Sequence, residues 1–211
     1  MGNCLGEAQN TTDSSRGSFH LRSGSVNVKK ASISGSSTEC KVIVLGDSAV
    51  GKTSIAMRFT ENRFPENHVV TLGAKFEQPR ISLKNGGALK INLWDTSGEE
   101  KFRTLLPIYF RNINGALLIY DIKDRKTFDN IEYWLSVLDG YAKKESIVLY
   151  LVGNKKDIQA VDREVPTEVA EKFAEANGML FTEVSAKTGE GVAEIFSLLA
   201  EKLVKKFNYP T

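Results

Sequence analysis

The sequence lacks several features that mark special classes of protein. It has only two cysteines, Cys4 and Cys40, too few for the disulfide framework of a small secreted domain, and we therefore expect a reducing compartment. No apolar run approaches the length of a transmembrane helix, and the N-terminus lacks the apolar core of a signal peptide. The 28 Lys and Arg side chains nearly balance the 26 Asp and Glu side chains, so we expect no nucleic-acid partner. We expect a protein of the cytosol or of a membrane surface.

The character of the chain changes near residue 40. Residues 1–39 are rich in serine and have almost no periodic apolar pattern, so we predict a disordered tail. Strand and helix patterns alternate over residues 40–207, which predicts one α/β domain, and residues 208–211 form a short C-terminal end. We predict strands near residues 40–45, 75–83, 89–94, 115–121, 147–152 and 179–184, and helices near residues 52–60, 99–110, 126–143, 167–177 and 191–207.

These elements predict a six-stranded, mostly parallel sheet with one antiparallel edge strand and five helices. Strands that alternate with helices form parallel sheets, because each helix carries the chain back to the same end of the sheet. The second and third strands are joined instead by residues 84–87, which read KNGG and carry an Asn-Gly hairpin signal. That hairpin makes the second strand antiparallel to the third.

The strongest local signal is the segment 46–54, which reads GDSAVGKTS between an apolar strand and a helix. Glycines let successive backbone N–H groups turn toward phosphate oxygens, the lysine adds a point charge, and the threonine hydroxyl suits Mg²⁺. The alternative is a glycine-rich turn that precedes Lys-Thr by chance; the strand–loop–helix context favours a phosphate-binding loop. The nucleotide ligands that we predict here are Asp47, Ser48, Ala49, Val50, Gly51, Lys52, Thr53 and Ser54.

Three later segments lie at the ends of predicted strands, where ligands gather in open α/β sheets. Residues 95–98 read DTSG, residues 154–157 read NKKD, and residues 185–187 read SAK. Asp95 is predicted to reach Mg²⁺, and the N–H group of Gly98 to lie beside the γ-phosphate. Each fragment alone is weak, since NKxD is more often a solvated turn. In the two later segments we predict that the nucleotide contacts are Asn154, Lys155, Asp157, Ser185, Ala186 and Lys187.

Asp157 indicates which base is bound. Its carboxylate can accept two hydrogen bonds from the N1–H and N2–H₂ edge of guanine, whereas adenine lacks that pair of donors. A P-loop ATPase or kinase remains an alternative, which Asp157 and the SAK segment oppose. We therefore predict that the chain binds GTP and GDP.

The segments TLGAKF (71–76), WDTSGEEKFR (94–103) and YFR (109–111), together with the motifs above, resemble small GTPases of the Ras superfamily, specifically the Rab family and its endosomal branch. The resemblance implies the P-loop GTPase fold, with Lys52 and Gly98 taking part in hydrolysis and Thr53, Thr71 and Asp95 holding Mg²⁺. It also implies that Phe64 packs on guanine and that Phe76, Trp94 and Tyr109 present an effector surface. A lone threonine in a turn or an aromatic in a core are the alternatives. Effectors, a nucleotide exchange factor, a GTPase-activating protein and an endosomal location follow from the same resemblance.

Glu99 departs from the family, which places at this position the glutamine that orients the attacking water. An ionised glutamate can accept a hydrogen bond from water but has no donor for the developing phosphoryl charge. We therefore expect Glu99 to be a catalytic position with a low intrinsic rate. A GTP-bound scaffold with little hydrolysis is one alternative, and a harmless replacement in a mobile loop is the other.

The ends of the chain are the second departure. The last residues carry no cysteine for prenylation, whereas Rab proteins normally end in one or two. The N-terminus reads MGNCLG, so Gly2 is an acceptor for myristate and Cys4 a site for palmitate, although Gly6 stands where the motif prefers Ser or Thr. An ordinary N-terminus is the alternative. The expected location is the cytoplasmic face of endosomal membranes, or the cytosol when the chain is unacylated.

Overall fold

The computed structural model describes residues 38–66, 70–84 and 87–209. The predicted acylation sites Gly2 and Cys4, most of the predicted tail, and the two residues at the tip of the predicted hairpin lie outside the described residues. The described strands are β1 (Thr38–Leu45), β2 (Ala74–Glu77), β3 (Arg80–Ser82), β4 (Ala88–Thr96), β5 (Gly115–Asp121), β6 (Val148–Asn154) and β7 (Leu180–Glu183). The described α-helices are α1 (Lys52–Glu61), α2 (Leu106–Phe110), α3 (Arg125–Asp129), α4 (Ile131–Asp139), α5 (Thr167–Ala176) and α6 (Val192–Phe207).

One sheet contains all seven described strands. Its order is β2-β4-β1-β5-β6-β7, and β3 also pairs with β4. The pairs β1–β4, β1–β5, β5–β6 and β6–β7 are parallel, while β2 and β3 are antiparallel to β4. The predicted fold class, a mostly parallel sheet with an antiparallel edge, is confirmed.

Proline interrupts the antiparallel edge. The sequence predicted one strand near residues 75–83, but β2 and β3 are separate segments with Pro79 between them. Proline has no N–H group to donate, which breaks the regular ladder. Its carbonyl oxygen still accepts a hydrogen bond from the N–H of Ile91 at 2.9 Å. The hairpin closes through a 2.8 Å bond from the N–H of Leu83 to the carbonyl oxygen of Gly87.

Other predicted boundaries move by a few residues. The predicted helix 99–110 begins as a 3₁₀ helix, Glu100–Leu105, before α2, and the predicted helix 126–143 is the pair α3 and α4 with Asn130 between them. Strand β1 begins at Thr38, two residues inside the predicted tail, and β6 continues to Asn154, which was predicted to follow the strand. Asp95 and Asn154 therefore lie in strands: Asp95 pairs with Val44 on one side and Lys75 on the other, and Asn154 pairs with Asp121.

The core consists of two layers, one on each face of the sheet. Successive residues of β1 point to opposite faces, so that Val42 and Val44 pack with α1 and α6, whereas Ile43 and Leu45 pack with α2, α3, α4 and α5. All four side chains are at most 1% exposed, as expected for a parallel strand covered by helices on both faces. Among the described helices, none has both the length and the hydropathy needed to cross a membrane.

Candidate nucleotide site

The predicted site segments meet at one edge of the sheet. The phosphate loop follows β1, Asp95 lies near the end of β4, and Asn154 ends β6. These strands are mutually parallel with β5 and β7, so their carboxyl ends lie on the same side of the molecule. Residues far apart in the chain are thereby brought together around the start of α1.

The phosphate loop depends on glycine at two positions. Gly51 has a φ of 97°, and a Cβ atom there would lie 2.1 Å from Nδ2 of Asn154. At Gly98, which approaches the loop from β4, a Cβ atom would lie 2.3 Å from the carbonyl carbon of Asp47 and 2.5 Å from Nζ of Lys52. Both distances are far below van der Waals contact. Only glycine therefore fits at these two positions, where the backbone lies against Asn154, Asp47 and Lys52.

Lys52 is almost completely buried, and its ammonium group points back into the loop. Nζ donates to the carbonyl oxygens of Gly46 at 2.9 Å and Asp47 at 2.6 Å. Burial lowers the pKa of Lys52 to about 8, while the charges of Asp95 and Asp47 oppose that shift. A buried ammonium group at the start of α1 offers a positive charge to an anionic phosphate.

Thr53, Thr71 and Asp95 form a compact oxygen cluster beside Lys52. The hydroxyl of Thr53 donates to Oδ2 of Asp95 at 2.6 Å and lies 2.8 Å from the hydroxyl of Thr71. The other oxygen, Oδ1 of Asp95, is buried and has no hydrogen-bond partner. Burial raises the pKa of Asp95 to about 6, against the hydrogen bond from Thr53 and the charge of Lys52.

This cluster fits a magnesium ion. Mg²⁺ prefers hard oxygen ligands and usually binds one or two carboxylates together with phosphate oxygens. Within the described part of the chain no group of three or more His, Cys, Asp or Glu side chains is arranged to hold a metal. The two hydroxyls and the unpartnered carboxylate oxygen of Asp95 therefore offer a site that phosphate oxygens would complete.

The predicted base-binding residues are joined to the phosphate loop through Asn154. Its side-chain amide donates to the carbonyl oxygen of Val50 at 2.8 Å and accepts from the N–H of Ala186 at 3.1 Å. Oδ1 of Asp157 accepts from the hydroxyl of Ser185 at 2.5 Å, and its Oδ2 lies 3.9 Å from Nζ of Lys187. Asp157 keeps acceptor capacity on Oδ2, which a guanine edge can use.

The other predicted nucleotide ligands lie on the phosphate loop, at the start of α1, in the segment 154–157 and after α1. Ser48 and Ala49 are exposed on the phosphate loop, and Ser54 is buried in the first turn of α1. Lys155 donates from Nζ to the carbonyl oxygen of Ala49 at 3.0 Å, which joins the segment 154–157 to the phosphate loop. Phe64 is 37% exposed on the segment after α1, where the guanine stacking predicted for it stays a prediction.

Glu99 turns toward a cation of its own segment. Oε2 of Glu99 lies 2.5 Å from Nζ of Lys101, which is 62% exposed. The N–H of Glu99 also donates to the hydroxyl of Ser97 at 3.3 Å. Lys101 therefore holds one carboxylate oxygen of Glu99, Oε2.

The three predicted effector-surface aromatics form a continuous row. The ring centroids of Phe76 and Trp94 are 5.0 Å apart, and those of Trp94 and Tyr109 are 5.2 Å apart. Phe76 is 45% exposed, and the other two rings are partly buried. Such a row offers a rigid aromatic surface that is partly exposed to a partner, and interface hot spots are enriched in aromatic side chains.

Sequence reasoning missed residues that support the site from behind. Asp121, the last residue of β5, forms a 2.6 Å ion pair with Lys155. Arg58 of α1 donates to the carbonyl oxygens of Ala186 at 3.0 Å and Lys187 at 2.8 Å, and so holds the SAK segment to the helix. The position of Asp121 at the end of a strand could have indicated a site residue. Nothing in the sequence around Arg58 indicated such a role, because charged side chains on helices are usually solvated.

Comparison with known proteins agrees with this geometry. The family profile that matches is that of the Ras family, over residues 41–205. Rab-5B of Plasmodium falciparum is 39% identical over 170 residues, which cover 81% of this chain and 80% of that protein. Rab-18-B of Danio rerio is 41% identical over 168 residues, which cover 80% of each chain. The GTP-binding protein YPT52 of Saccharomyces cerevisiae is 38% identical over an alignment that covers 77% of this chain and 81% of that protein.

The motifs, the fold and the comparisons therefore point the same way. The profile match covers more than half of the chain, and the two Rab-named relatives cover four-fifths of it. The resemblance inferred from the motifs is confirmed: the chain belongs to the Rab family of Ras-type small GTPases, which are GTP-binding proteins that act as switches.

Proposed function

We propose that this protein is a GTP-hydrolysing switch in vesicular membrane traffic, with endosomal membranes as its place of action. The observation that carries the proposal is the cluster of Thr53, Thr71 and Asp95, in which a buried carboxylate oxygen has no partner. A polar oxygen buried in this way costs free energy unless a ligand satisfies it. A magnesium ion bound with a nucleoside triphosphate would satisfy it.

The phosphate loop, residues 46–54, and the segment 95–98 hold the phosphate end of the nucleotide. Lys52 and the N–H groups of residues 47–54 bind the phosphates, and Gly98 offers its N–H to the γ-phosphate. Thr53, Thr71 and Asp95 hold Mg²⁺, which neutralises charge on the phosphates when it is bound. Lys52 and Gly98 assist hydrolysis by stabilising the charge that develops on the transferred phosphoryl group.

Switching follows from the position of Thr71. Thr71 precedes β2, and its hydroxyl lies 2.8 Å from the hydroxyl of Thr53. When GTP and Mg²⁺ are bound, Thr71 would hold the metal through its hydroxyl and the γ-phosphate through its N–H group. After hydrolysis the γ-phosphate is gone, so these contacts are lost and the segment that carries Thr71 is released. Effectors read this difference at the row of Phe76, Trp94 and Tyr109, while an exchange factor and a GTPase-activating protein set its timing.

Guanine selectivity is the direct test of the proposal, and Asp157→Asn is the variant. Oδ2 of Asp157 is available to the base, and replacement by an amide leaves the guanine donors without an acceptor. We expect GTP affinity to fall at least about a hundredfold, since analogues that lack a matching hydrogen bond are rejected by about 10⁴-fold in other sites. Preference should move toward xanthine nucleotide, whose oxygen at C2 accepts from an amide.

Titration calorimetry with GTP, ATP and xanthosine triphosphate measures this. Asp162→Asn is the matched control, because Asp162 is an exposed carboxylate on the neighbouring 3₁₀ helix, Ala160–Asp162. Unchanged GTP affinity in Asp157→Asn would remove Asp157 from the site. Tight binding of ATP by the unaltered protein would instead favour the ATPase or kinase alternative.

A GTP-bound scaffold with little hydrolysis is the second candidate function. Glu99 supports it, since its carboxylate is paired with Lys101 and has no N–H group to donate to phosphoryl oxygens. The two candidates share the nucleotide site and differ only in turnover. Single-turnover hydrolysis of bound GTP separates them.

Membrane attachment is proposed from the sequence alone, through myristate on Gly2 and palmitate on Cys4. One myristoyl chain gives only marginal binding to a membrane, so the second acyl chain is needed for stable residence. Gly2→Ala should move the protein from the membrane fraction of its cells to the cytosol, and Cys4→Ser should leave it weakly attached. Fractionation with intact-mass analysis measures both, and a Gly2→Ala protein that stays with membranes would contradict this anchor.

A further inference from the structure

Asp47 places a carboxylate inside the phosphate loop, where the motif chemistry needs none. Its two oxygens accept hydrogen bonds from outside the loop: Oδ2 from the side-chain amide of Asn130 at 2.6 Å, and Oδ1 from the indole N–H of Trp134 at 2.8 Å. Both donors are neutral, and both come from the start of α4. The bonds join residues 83 and 87 positions apart.

A free carboxylate at this position opposes phosphate binding. Asp47 is close enough to Lys52 for its charge to act on that ammonium group, and its carbonyl oxygen already accepts from Nζ of Lys52 at 2.6 Å. An unrestrained carboxylate would compete with phosphate for Lys52 and would repel phosphate oxygens, because like charges disfavour each other at short range. The loop therefore works best when this carboxylate is turned away.

The two donors are themselves held firmly. Trp134 is fully buried, and the guanidinium of Arg103 lies 5.5 Å from its ring centroid and 4.5 Å from that of Tyr133. Asn130 ends α3 through hydrogen bonds from its N–H to the carbonyl oxygens of Lys126 and Phe128. Its side chain does not cap α4. The side-chain amide of Asn130 donates to Asp47 instead.

We infer that Asn130 and Trp134 are positioning residues that hold the Asp47 carboxylate out of the phosphate site. The loop then presents Lys52 and its N–H groups to the nucleotide without competition from its own acidic side chain. The guanidinium of Arg103, from the segment that follows Glu99, lies over the same indole. The inference rests on the nucleotide binding proposed above.

Dissociation of GDP from the full chain tests it. A fluorescent GDP analogue is loaded and chased with excess GDP, in the presence of Mg²⁺. Because hydrogen bonds to charged groups are stronger than neutral ones, we expect the Asn130→Ala/Trp134→Phe double variant to release the analogue about thirtyfold faster. In an Asp47→Asn background the same two changes should accelerate release by only about threefold, since no carboxylate is left to be freed.

Ile131→Val is the matched control, because it removes one methylene from a fully buried side chain in the same turn of α4 that has no donor for Asp47. It separates local destabilisation from the loss of the two donors, and melting temperatures are compared for all variants. Equal acceleration of release with aspartate and with asparagine at position 47 would overturn the inference. So would a double variant that releases GDP no faster than Ile131→Val. Failure of the unaltered protein to bind the analogue would overturn the proposed function, and the inference with it.

Discussion

Glu99→Gln tests whether the residue at position 99 limits the rate of GTP hydrolysis. It keeps the length of the side chain, removes one negative charge, and supplies an N–H₂ donor at the position that follows Gly98. At present Oε2 of Glu99 lies 2.5 Å from Nζ of Lys101. The side chain of Glu99 is 21% exposed, so its surroundings are only partly solvated. We expect the glutamine to raise the rate of GTP hydrolysis.

Two contributions set the size of that increase. A hydrogen bond from the new amide to a charged phosphoryl oxygen contributes about 1.5–3 kcal/mol, which corresponds to roughly 10- to 150-fold in rate. Release from Lys101 contributes much less. That partner is 62% exposed, and a surface ion pair is worth about 0–1 kcal/mol, or at most about fivefold.

Single-turnover hydrolysis of bound GTP distinguishes the two contributions. Lys101→Met frees the carboxylate without supplying a donor, so its rate should stay within about fivefold of that of the unaltered protein. GTP affinity, measured in parallel, should change little in either variant. The reasoning is refuted if Glu99→Gln hydrolyses GTP at the native rate with normal affinity, or if Lys101→Met matches its acceleration.

Two further predictions concern the folded state rather than the reaction. Arg163→Met should lower the free energy of unfolding, measured in urea, by about 3 kcal/mol, because the side chain of Glu183, which is 7% exposed, loses its bidentate partner. Arg125→Met breaks an exposed ion pair and should cost about 0.5 kcal/mol; equal losses would contradict this account. Burial raises the pKa of the Cys40 thiol to about 12, so iodoacetamide at pH 8 should modify Cys40 only after unfolding, as read by peptide mass spectrometry. Labelling of Cys40 in the native protein would contradict its burial.

Local patterns were sufficient to predict the fold class and the family. Residues 46–54 predict a phosphate-binding loop from adjacent positions alone, since the end of a strand, a tight turn and the start of a helix follow one another within a few residues. Apolar runs predicted the parallel strands, because a strand covered on both faces needs little polar surface. Element ends were less certain. Pairing partners extended β6 to Asn154, and Pro79 divided the edge strand.

The order of the motifs along the chain was enough to predict which chemical groups meet at the carboxyl ends of the parallel strands. The contacts that restrain those groups depend on the folded chain. Trp134 has the spacing of a core residue on a helix, yet its N–H reaches Asp47 across 87 positions. Likewise, the 2.6 Å pair of Asp121 and Lys155 depends on where β5 and β6 lie side by side. Such contacts join residues that are distant in the chain, and their geometry is set by packing rather than by any local pattern.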